Sequence, residues 1–192
     1  MTQPIMKNKI VIGFVGLAGA GKSSALEGIK YIGTIITMGD VIRKEAELRN
    51  LPLTSENLGM IAKDLRKEYG NDVIAKKCVE LIKEHPSDTI FIDGLRSMNE
   101  VNIFREFWKF PIISIIIDEE IRIKRLLERG REDDSIKIDD IKERDEREIR
   151  FGLKEVIENS DYKINNNSTI TDLQEKTRKI IFSIIKESSN LF

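Results

Sequence analysis

The chain has 192 residues, of which 40% are hydrophobic and 34% are charged. This much charge argues against a membrane-embedded protein, and the length suits one globular domain. The 32 basic and 33 acidic side chains nearly cancel to a net charge of −1, which argues against attachment to nucleic acid by bulk positive charge. The single cysteine, Cys78, excludes an internal disulfide and a multi-cysteine metal site, as expected in a reducing cytosol.

The first predicted element is an apolar strand over residues 10–15. Lys7 and Lys9, followed by apolar residues up to Ala20, imitate a secretory signal peptide. The stretch nevertheless ends in a glycine pattern that would serve no purpose in a discarded peptide. Since no other apolar run approaches the ~20 residues of a bilayer span, we expect a cytoplasmic protein without a membrane segment.

A phosphate-binding loop follows this strand. The pattern GxxxxGK[ST] is complete, with Gly16, Leu17, Ala18, Gly19, Ala20, Gly21, Lys22 and Ser23. Glycines let backbone N–H groups converge on phosphate oxygens, and the helix that follows adds its positive dipole end. In this pattern Lys22 bridges the β- and γ-phosphates and the Ser23 hydroxyl binds Mg²⁺. The sequence therefore predicts a nucleotide site.

Four further apolar runs predict strands over residues 34–38, 89–92, 112–117 and 162–164. Each is followed by a stretch with helical spacing, which indicates right-handed crossovers and a doubly wound parallel sheet. Two connections, residues 40–85 and 130–159, are longer than a simple crossover needs. We expect them to form lobes mounted on the sheet.

Asp93 ends the third predicted strand. A carboxylate in this position lies beside the Mg²⁺ of a phosphate-loop site, although a strand-terminal Asp is also a common turn former. The NKxD signature that reads guanine and the LSGGQ signature of transporter ATPases are both absent from the sequence. ATP and Mg²⁺ are therefore the expected ligands. Asn165 to Asn167, after the last strand, fit either a contact with adenine or a turn.

Three further segments resemble nucleoside monophosphate kinases. Residues 38–43 (MGDVIR) resemble the TGDxxR segment of adenylate kinases, and residues 91–96 (FIDGLR) their DGFPR segment. Residues 125–134 (RLLERGREDD), with Arg144 and Arg147 after them, are similar to the short lid of UMP/CMP kinases. The combination most resembles an uncharacterised archaeal family described as adenylate-kinase-related or dephospho-CoA-kinase-like.

The resemblance implies one P-loop kinase-like α/β domain over residues 1–192. Its five parallel strands are expected in the order 2-3-1-4-5, with helices on both faces of the sheet. Residues 40–85 are then the acceptor-binding lobe, and residues 130–159 are the lid.

The resemblance also implies the roles of individual residues. The acceptor site is Gly39, Asp40, Arg43 and Arg96. On the ATP side, Arg129 and Ser24 join the phosphate loop, and Ser24 could share the hydroxyl role of Ser23. The catalytic set is Lys22, Arg96, Arg131, Arg144 and Arg147, and the metal-binding set is Ser23 and Asp93. Acidic residues are interleaved with Arg144 and Arg147, so an ordinary salt-bridged surface helix is the alternative.

The implied reaction is Mg²⁺-dependent transfer of the ATP γ-phosphate to a nucleoside monophosphate or a similar small acceptor. Glu100 stands where adenylate kinases carry an adenine-reading glutamine, so the resemblance does not predict AMP as the acceptor. One alternative is a dephospho-CoA-kinase-like reaction at a hydroxyl, with Asp40 or Asp93 as the base. Another is a slow ATPase switch that acts on a protein or RNA partner, with RNA disfavoured by the net charge.

Overall fold

The computed structural model of the protein describes residues 9–129 and 137–189. Five parallel strands form one sheet in the order β2-β3-β1-β4-β5. The strands are β1 (Ile10–Val15), β2 (Thr34–Thr37), β3 (Thr89–Asp93), β4 (Ile112–Ile116) and β5 (Tyr162–Asn165). This confirms the predicted parallel sheet and its strand order.

Helices occupy both faces of the sheet. They are α1 (Lys22–Glu27), α2 (Met38–Leu48), α3 (Ser55–Tyr69), α4 (Val73–Glu84), α5 (Met98–Arg105), α6 (Glu119–Arg129), α7 (Ile138–Arg150), α8 (Leu153–Glu158) and α9 (Ile170–Ser189). None of the helices within residues 9–129 and 137–189 has the length and apolar character that a membrane span requires.

The second strand ends one residue before its predicted limit. Met38 already belongs to α2, because Thr37 caps this helix and turns the chain out of the sheet. The Thr37 hydroxyl accepts the N–H of Asp40, and the Asp40 carboxylate accepts the N–H of Thr37, which is a complete capping box. The cap at Thr37 therefore starts the helix at Met38, although the apolar pattern predicts that the strand includes this residue.

The central strand is buried on both faces. Val11, Ile12 and Phe14 of β1 have no exposed surface, as the interior strand of a parallel sheet requires. On one face the apolar cluster includes α1 and α9, with Ile29 and Ile181 fully buried. On the other face it includes side chains of α2, α3, α4, α5 and α8.

The two long connections share this core. Side chains of α2, α3 and α4 belong to the same cluster as those of β1 and β3, and Leu153 and Val156 of α8 join it. Cys78 of α4 is fully buried there, and burial raises the pKa of its thiol to about 12. The connections therefore pack directly on the sheet rather than around cores of their own.

The strand register places the site. Asp93 pairs with Phe14 of β1 on one side and with Thr37 of β2 on the other. The carboxyl ends of β1, β2 and β3 therefore meet at one edge of the sheet. Ligands of open α/β sheets bind at this edge.

Candidate nucleotide and acceptor sites

The phosphate loop runs from Gly16 to Gly21, between β1 and α1. Gly19 and Gly21 have φ of 78° and 108°, which side chains other than glycine rarely adopt. Space is lacking as well, because a Cβ at Gly19 would lie 2.6 Å from Cγ of Leu126 and one at Gly21 would collide with the Asn166 amide. Any other residue at Gly19 or Gly21 would strain the backbone and clash with a neighbouring side chain.

Lys22 opens α1 and folds back over the loop. Its Nζ donates to the carbonyl oxygen of Gly16 at 2.7 Å. Burial lowers the pKa of Lys22, while the charges of Asp93 and Glu148 act in the opposite direction. A desolvated ammonium group inside a glycine loop suits an anionic ligand.

Asp93 has an unusual environment for a carboxylate. Its Oδ1 is buried and finds no hydrogen-bond partner among the described residues. Burial raises the pKa of Asp93, although Lys22 and the N–H of Gly94 lower it. An orphaned carboxylate oxygen beside the phosphate loop fits a role toward Mg²⁺, with Ser23 of the same cavity as the second oxygen donor.

These residues surround a phosphate cavity of about 770 Å³. Its lining comprises Ala18, Gly19, Gly21, Lys22, Ser23, Ser24, Thr37, Gly39, Arg43, Asp93, Gly94, Arg96, Arg125, Leu126, Arg144, Asn166, Ser168, Thr169, Ile170 and Leu173. The phosphate loop, Asp93 and Arg144 are therefore brought together. Leu17 is not among the lining residues of this cavity, but its carbonyl accepts the N–H of Ala20 at 3.1 Å within the loop.

The β5–α9 connection forms the far wall of the phosphate cavity. The Asn166 side chain donates to the Ala20 carbonyl at 2.7 Å. Arg125 of α6 donates to the carbonyls of Asn166 and Ser168, each at 3.0 Å. For Asn166, which the sequence left between two interpretations, the structure gives a loop-anchoring role.

A buried ion pair lies behind the phosphate loop. Arg122 of α6 donates to Asp145 of α7 through both terminal nitrogens, and one of these bonds measures 3.2 Å. The same guanidinium donates to the Ala18 carbonyl at 3.1 Å. The two side chains are 3% and 9% exposed, so the pair is part of the interior. Neither residue was predicted as part of the site.

Arg43 projects from the first turns of α2. Its Nη1 lies 2.6 Å from Oδ1 of Asp40. Asp40 lines neither cavity among the described residues; its carboxylate instead caps α2 and holds Arg43. The carboxylate of Asp40, a predicted acceptor residue, therefore contacts Arg43, which lines both cavities.

A second cavity, of about 700 Å³, lies between α2, α3 and α7. We call it the acceptor cavity, after the predicted acceptor residues in its lining. It is lined by Gly39, Ile42, Arg43, Leu58, Gly59, Ala62, Lys63, Arg66, Lys67, Asn71, Arg96, Arg147, Glu148 and Phe151. Gly39, Arg43 and Arg96 line the phosphate cavity too. The two cavities therefore share a border made of predicted acceptor residues.

Arg96 joins this border to α7. Its Nε lies 3.0 Å from Oε2 of Glu148, which is largely buried. Glu100 is only 2% exposed, accepts the N–H of Arg96 at 2.8 Å and lies 3.6 Å from Arg66. Burial raises the pKa of Glu100, and the Arg96 N–H and Arg66 oppose that shift. Glu100 thus positions neighbouring groups and does not line the acceptor cavity.

Two of the predicted lid arginines lie in different cavities. Arg144 lines the phosphate cavity and Arg147 lines the acceptor cavity, so α7 faces both. Arg129 is the last residue of α6. Arg131 lies outside the described residues.

The parallel sheet, its strand order and the glycine loop define a P-loop domain of the kinase-like class. Solved structures share this fold. The TT1252 protein of Thermus thermophilus aligns with a TM-score of 0.59 at 15% identity, over 92% of this chain and 98% of that one. Shikimate kinase from Acinetobacter baumannii, in complex with shikimate, aligns with a TM-score of 0.56 at 12% identity, over 94% and 96%.

Sequence comparison gives the family. The AAA domain model matches residues 12–151. A UPF0200 protein of Methanosarcina acetivorans is 41% identical over 182 residues, which cover 93% of this chain and 97% of the relative. A UPF0200/UPF0201 protein of Archaeoglobus fulgidus is 42% identical over 183 residues, or 92% of this chain, which spans 56% of that longer relative. The chain belongs to the UPF0200 family and carries its AAA domain.

Proposed function

We propose that the protein is a phosphotransferase that moves the γ-phosphate of ATP to a small acceptor. The observation that carries the proposal is the shared border of the two cavities. A nucleotide held by the phosphate loop would direct its γ-phosphate toward Arg43 and Arg96, which also line the acceptor cavity. Phosphoryl transfer needs this arrangement of donor and acceptor around a cationic centre.

The chain's own residues would divide the work. Lys22 and the loop N–H groups bind the phosphates, while Arg144 approaches from α7. Ser23 and Asp93 would hold a Mg²⁺ ion, whose charge neutralises the phosphate oxygens. Arg43 and Arg96 would orient the acceptor, and Arg147 would flank it. On this proposal residues 40–85 act as the acceptor lobe and residues 130–159 as the lid.

The test is ADP release from Mg²⁺-ATP, measured with each nucleoside monophosphate and with dephospho-CoA as acceptors. We expect at least one small acceptor to stimulate release above the rate of hydrolysis. We also expect Lys22→Ala to weaken ATP binding by roughly 10²-fold or more, because a desolvated charge-assisted contact is lost. Calorimetry measures this affinity.

Lys30→Ala is the matched control, since Lys30 is exposed and lines neither cavity. It is expected to bind ATP like the wild type. Unchanged ATP affinity in a folded Lys22→Ala variant would contradict the nucleotide site. Hydrolysis that responds to no small acceptor, but responds to a macromolecule, would favour an ATP-dependent switch.

A further inference from the structure

We propose that the acceptor carries a second anionic group, separate from the group that receives the phosphoryl, and that Lys63 and Lys67 of α3 bind it. The inference rests on the proposed function, because it specifies the acceptor of that reaction. It is argued from the side of the acceptor cavity that α3 forms, which we call the α3 wall: from its charged side chains, from the ion pairs they do or do not form, and from the open space at Gly59.

The two lysines lie four residues apart and both line the acceptor cavity. Like charges at this spacing repel each other and destabilise a helix slightly. Elsewhere on the surface the protein pairs lysine with acid at the same spacing, as in Lys154 with Glu158 and Lys176 with Asp172. Within residues 9–129 and 137–189, neither Lys63 nor Lys67 forms an ion pair. Their charges remain available to a ligand.

Two acids near this wall already have partners. Asp64 of α3 lies 3.8 Å from Arg49 of α2. Glu148 is the one acidic residue among the described lining of the acceptor cavity, and it pairs with Arg96. Lys63, Lys67 and Arg147 thus leave the cavity strongly cationic, as an anionic ligand requires.

The positive charge lies at two separate places. Arg43 and Arg96 occupy the border with the phosphate cavity, whereas Lys63 and Lys67 line the acceptor cavity alone. An acceptor with a single phosphate would use the border and leave the lysines without a partner. An acceptor with a second phosphate, pyrophosphate or carboxylate group would engage both places.

Gly59 is a second observation on the α3 wall, and it does not depend on charge. It lies inside α3, where glycine destabilises a helix, and a Cβ built there meets no atom within 4 Å. The presence of glycine at this helical position is therefore not explained by close packing against a neighbouring residue. Since Gly59 lines the acceptor cavity, its missing side chain leaves room for a ligand against the helix.

The test compares AMP with adenosine 3′,5′-bisphosphate by calorimetry, with a non-hydrolysable ATP analogue saturating the phosphate cavity. We expect the bisphosphate to bind at least tenfold more tightly. In the Lys63→Gln/Lys67→Gln variant this advantage should fall to about twofold or less, with a weaker dependence on salt. The control, Lys154→Gln/Lys179→Gln, removes two exposed lysines outside both cavities and should keep the advantage.

Gly59→Ala gives a second measurement that does not depend on charge. Alanine favours a helix over glycine, so we expect the melting temperature to rise by roughly 2–4 °C. Affinity for the bisphosphate should nevertheless fall severalfold, while ATP affinity stays within about twofold. Unchanged bisphosphate affinity in this variant would contradict ligand contact with α3.

Two outcomes separate this inference from the proposed function. ADP release that is stimulated by acceptors, without any lysine-dependent preference for the bisphosphate, overturns the second anionic subsite and leaves the phosphotransferase standing. A lysine-dependent preference, without acceptor-stimulated ADP release in the wild type, supports the subsite and overturns the phosphotransferase.

Discussion

Lys22 and Asp93 interact electrostatically in the phosphate cavity, and burial shifts the pKa of each toward its neutral form. Both groups are therefore arranged for a ligand at some cost to the folded state. Charge on a nucleotide and its metal ion would compensate this desolvation. Removing one of these buried charges should therefore change the stability of the nucleotide-free protein by a measurable amount.

Asp93→Asn tests this cost at the residue scale. Because the pKa of Asp93 is raised from 3.8 in the folded state, the folded protein binds a proton at higher pH than the unfolded chain. The contribution of Asp93 to stability is therefore lost as pH rises through the folded-state pKa. We expect the nucleotide-free Asn variant to be more stable than the wild type at pH 8, with the difference shrinking toward pH 4.

Thermal unfolding from pH 4 to pH 8 measures this difference. Asp88→Asn is the control for the loss of one carboxylate, because Asp88 is exposed and lines neither cavity. Mg²⁺-ATP affinity should fall at least tenfold in Asp93→Asn and stay unchanged in the control. An Asn variant that is less stable than the wild type at pH 8 would show that Asp93 is structurally required.

At the scale of elements, α6 and α7 are joined to the phosphate loop through Arg122. This guanidinium contacts Asp145 of α7 and the Ala18 carbonyl, so it connects the helix of Arg144 and Arg147 to the nucleotide site. Removing one partner of a buried ion pair leaves an uncompensated charge, whereas replacing both by apolar residues is often tolerated.

We expect Asp145→Ala to lower the free energy of unfolding by roughly 3–5 kcal/mol. The double variant Arg122→Met/Asp145→Leu should recover most of this stability. It should still bind ATP more weakly than the wild type, because the Ala18 carbonyl has lost its donor. Denaturant unfolding and calorimetry measure the two quantities.

The exposed pair Lys154–Glu158 supplies the comparison, and Lys154→Ala should change stability by less than about 1 kcal/mol. If the double variant bound ATP as the wild type does, the Arg122–Asp145 pair would matter for packing alone.

At the scale of the whole molecule, two elements share the lining of both cavities. Arg43 of α2 and the arginines of α7 line these cavities, and the ion pair between Glu148 and Arg96, which follows β3, already joins α7 to the border. Phosphotransferases must exclude water from the γ-phosphate, which is commonly achieved by closure around both substrates. We therefore expect α3 and α7 to approach each other when both cavities are filled.

A bisubstrate analogue, in which one polyphosphate chain joins two nucleosides, tests this closure. Solution scattering should show a smaller radius of gyration, and hydrogen exchange should show stronger protection of amides in α3 and α7. ATP alone should protect the phosphate loop and leave α3 unchanged, which makes it the control. The absence of compaction and of protection in α3 at a saturating level of the analogue would argue against closure around two ligands.

The sequence was informative where its patterns are local. Apolar runs predicted the strands, and the glycine pattern predicted the loop that Lys22 closes. The capping role of Asp40 was not predicted, because its segment resembles an acceptor-binding motif, whereas the structure shows its carboxylate contacting Thr37 and Arg43. Because both signals occupy the same short segment, only the geometry separates them.

Long-range partners could not be predicted in this way. Arg122 and Asp145 are 23 residues apart, each within a strongly charged helix, and no spacing rule selects this pair from its neighbours. The alternative of an ordinary charged surface helix fits part of α7 but not buried Asp145. Nor do Lys63 and Lys67 form a recognised motif; the role proposed for them depends on the cavity that α2, α3 and α7 enclose.

The hydrogen bond from Asn166 to the Ala20 carbonyl has a consequence for folding during synthesis. Its two residues are 146 positions apart, so the phosphate loop is made long before this anchor, which forms only after β5 has emerged and paired with β4. Contacts of such separation form late, because the intervening chain must first be ordered. A nascent chain that ends before Asn166 would therefore possess the complete glycine motif without the hydrogen bond that anchors the loop. Nucleotide therefore favours the native state only after β5 has joined the sheet.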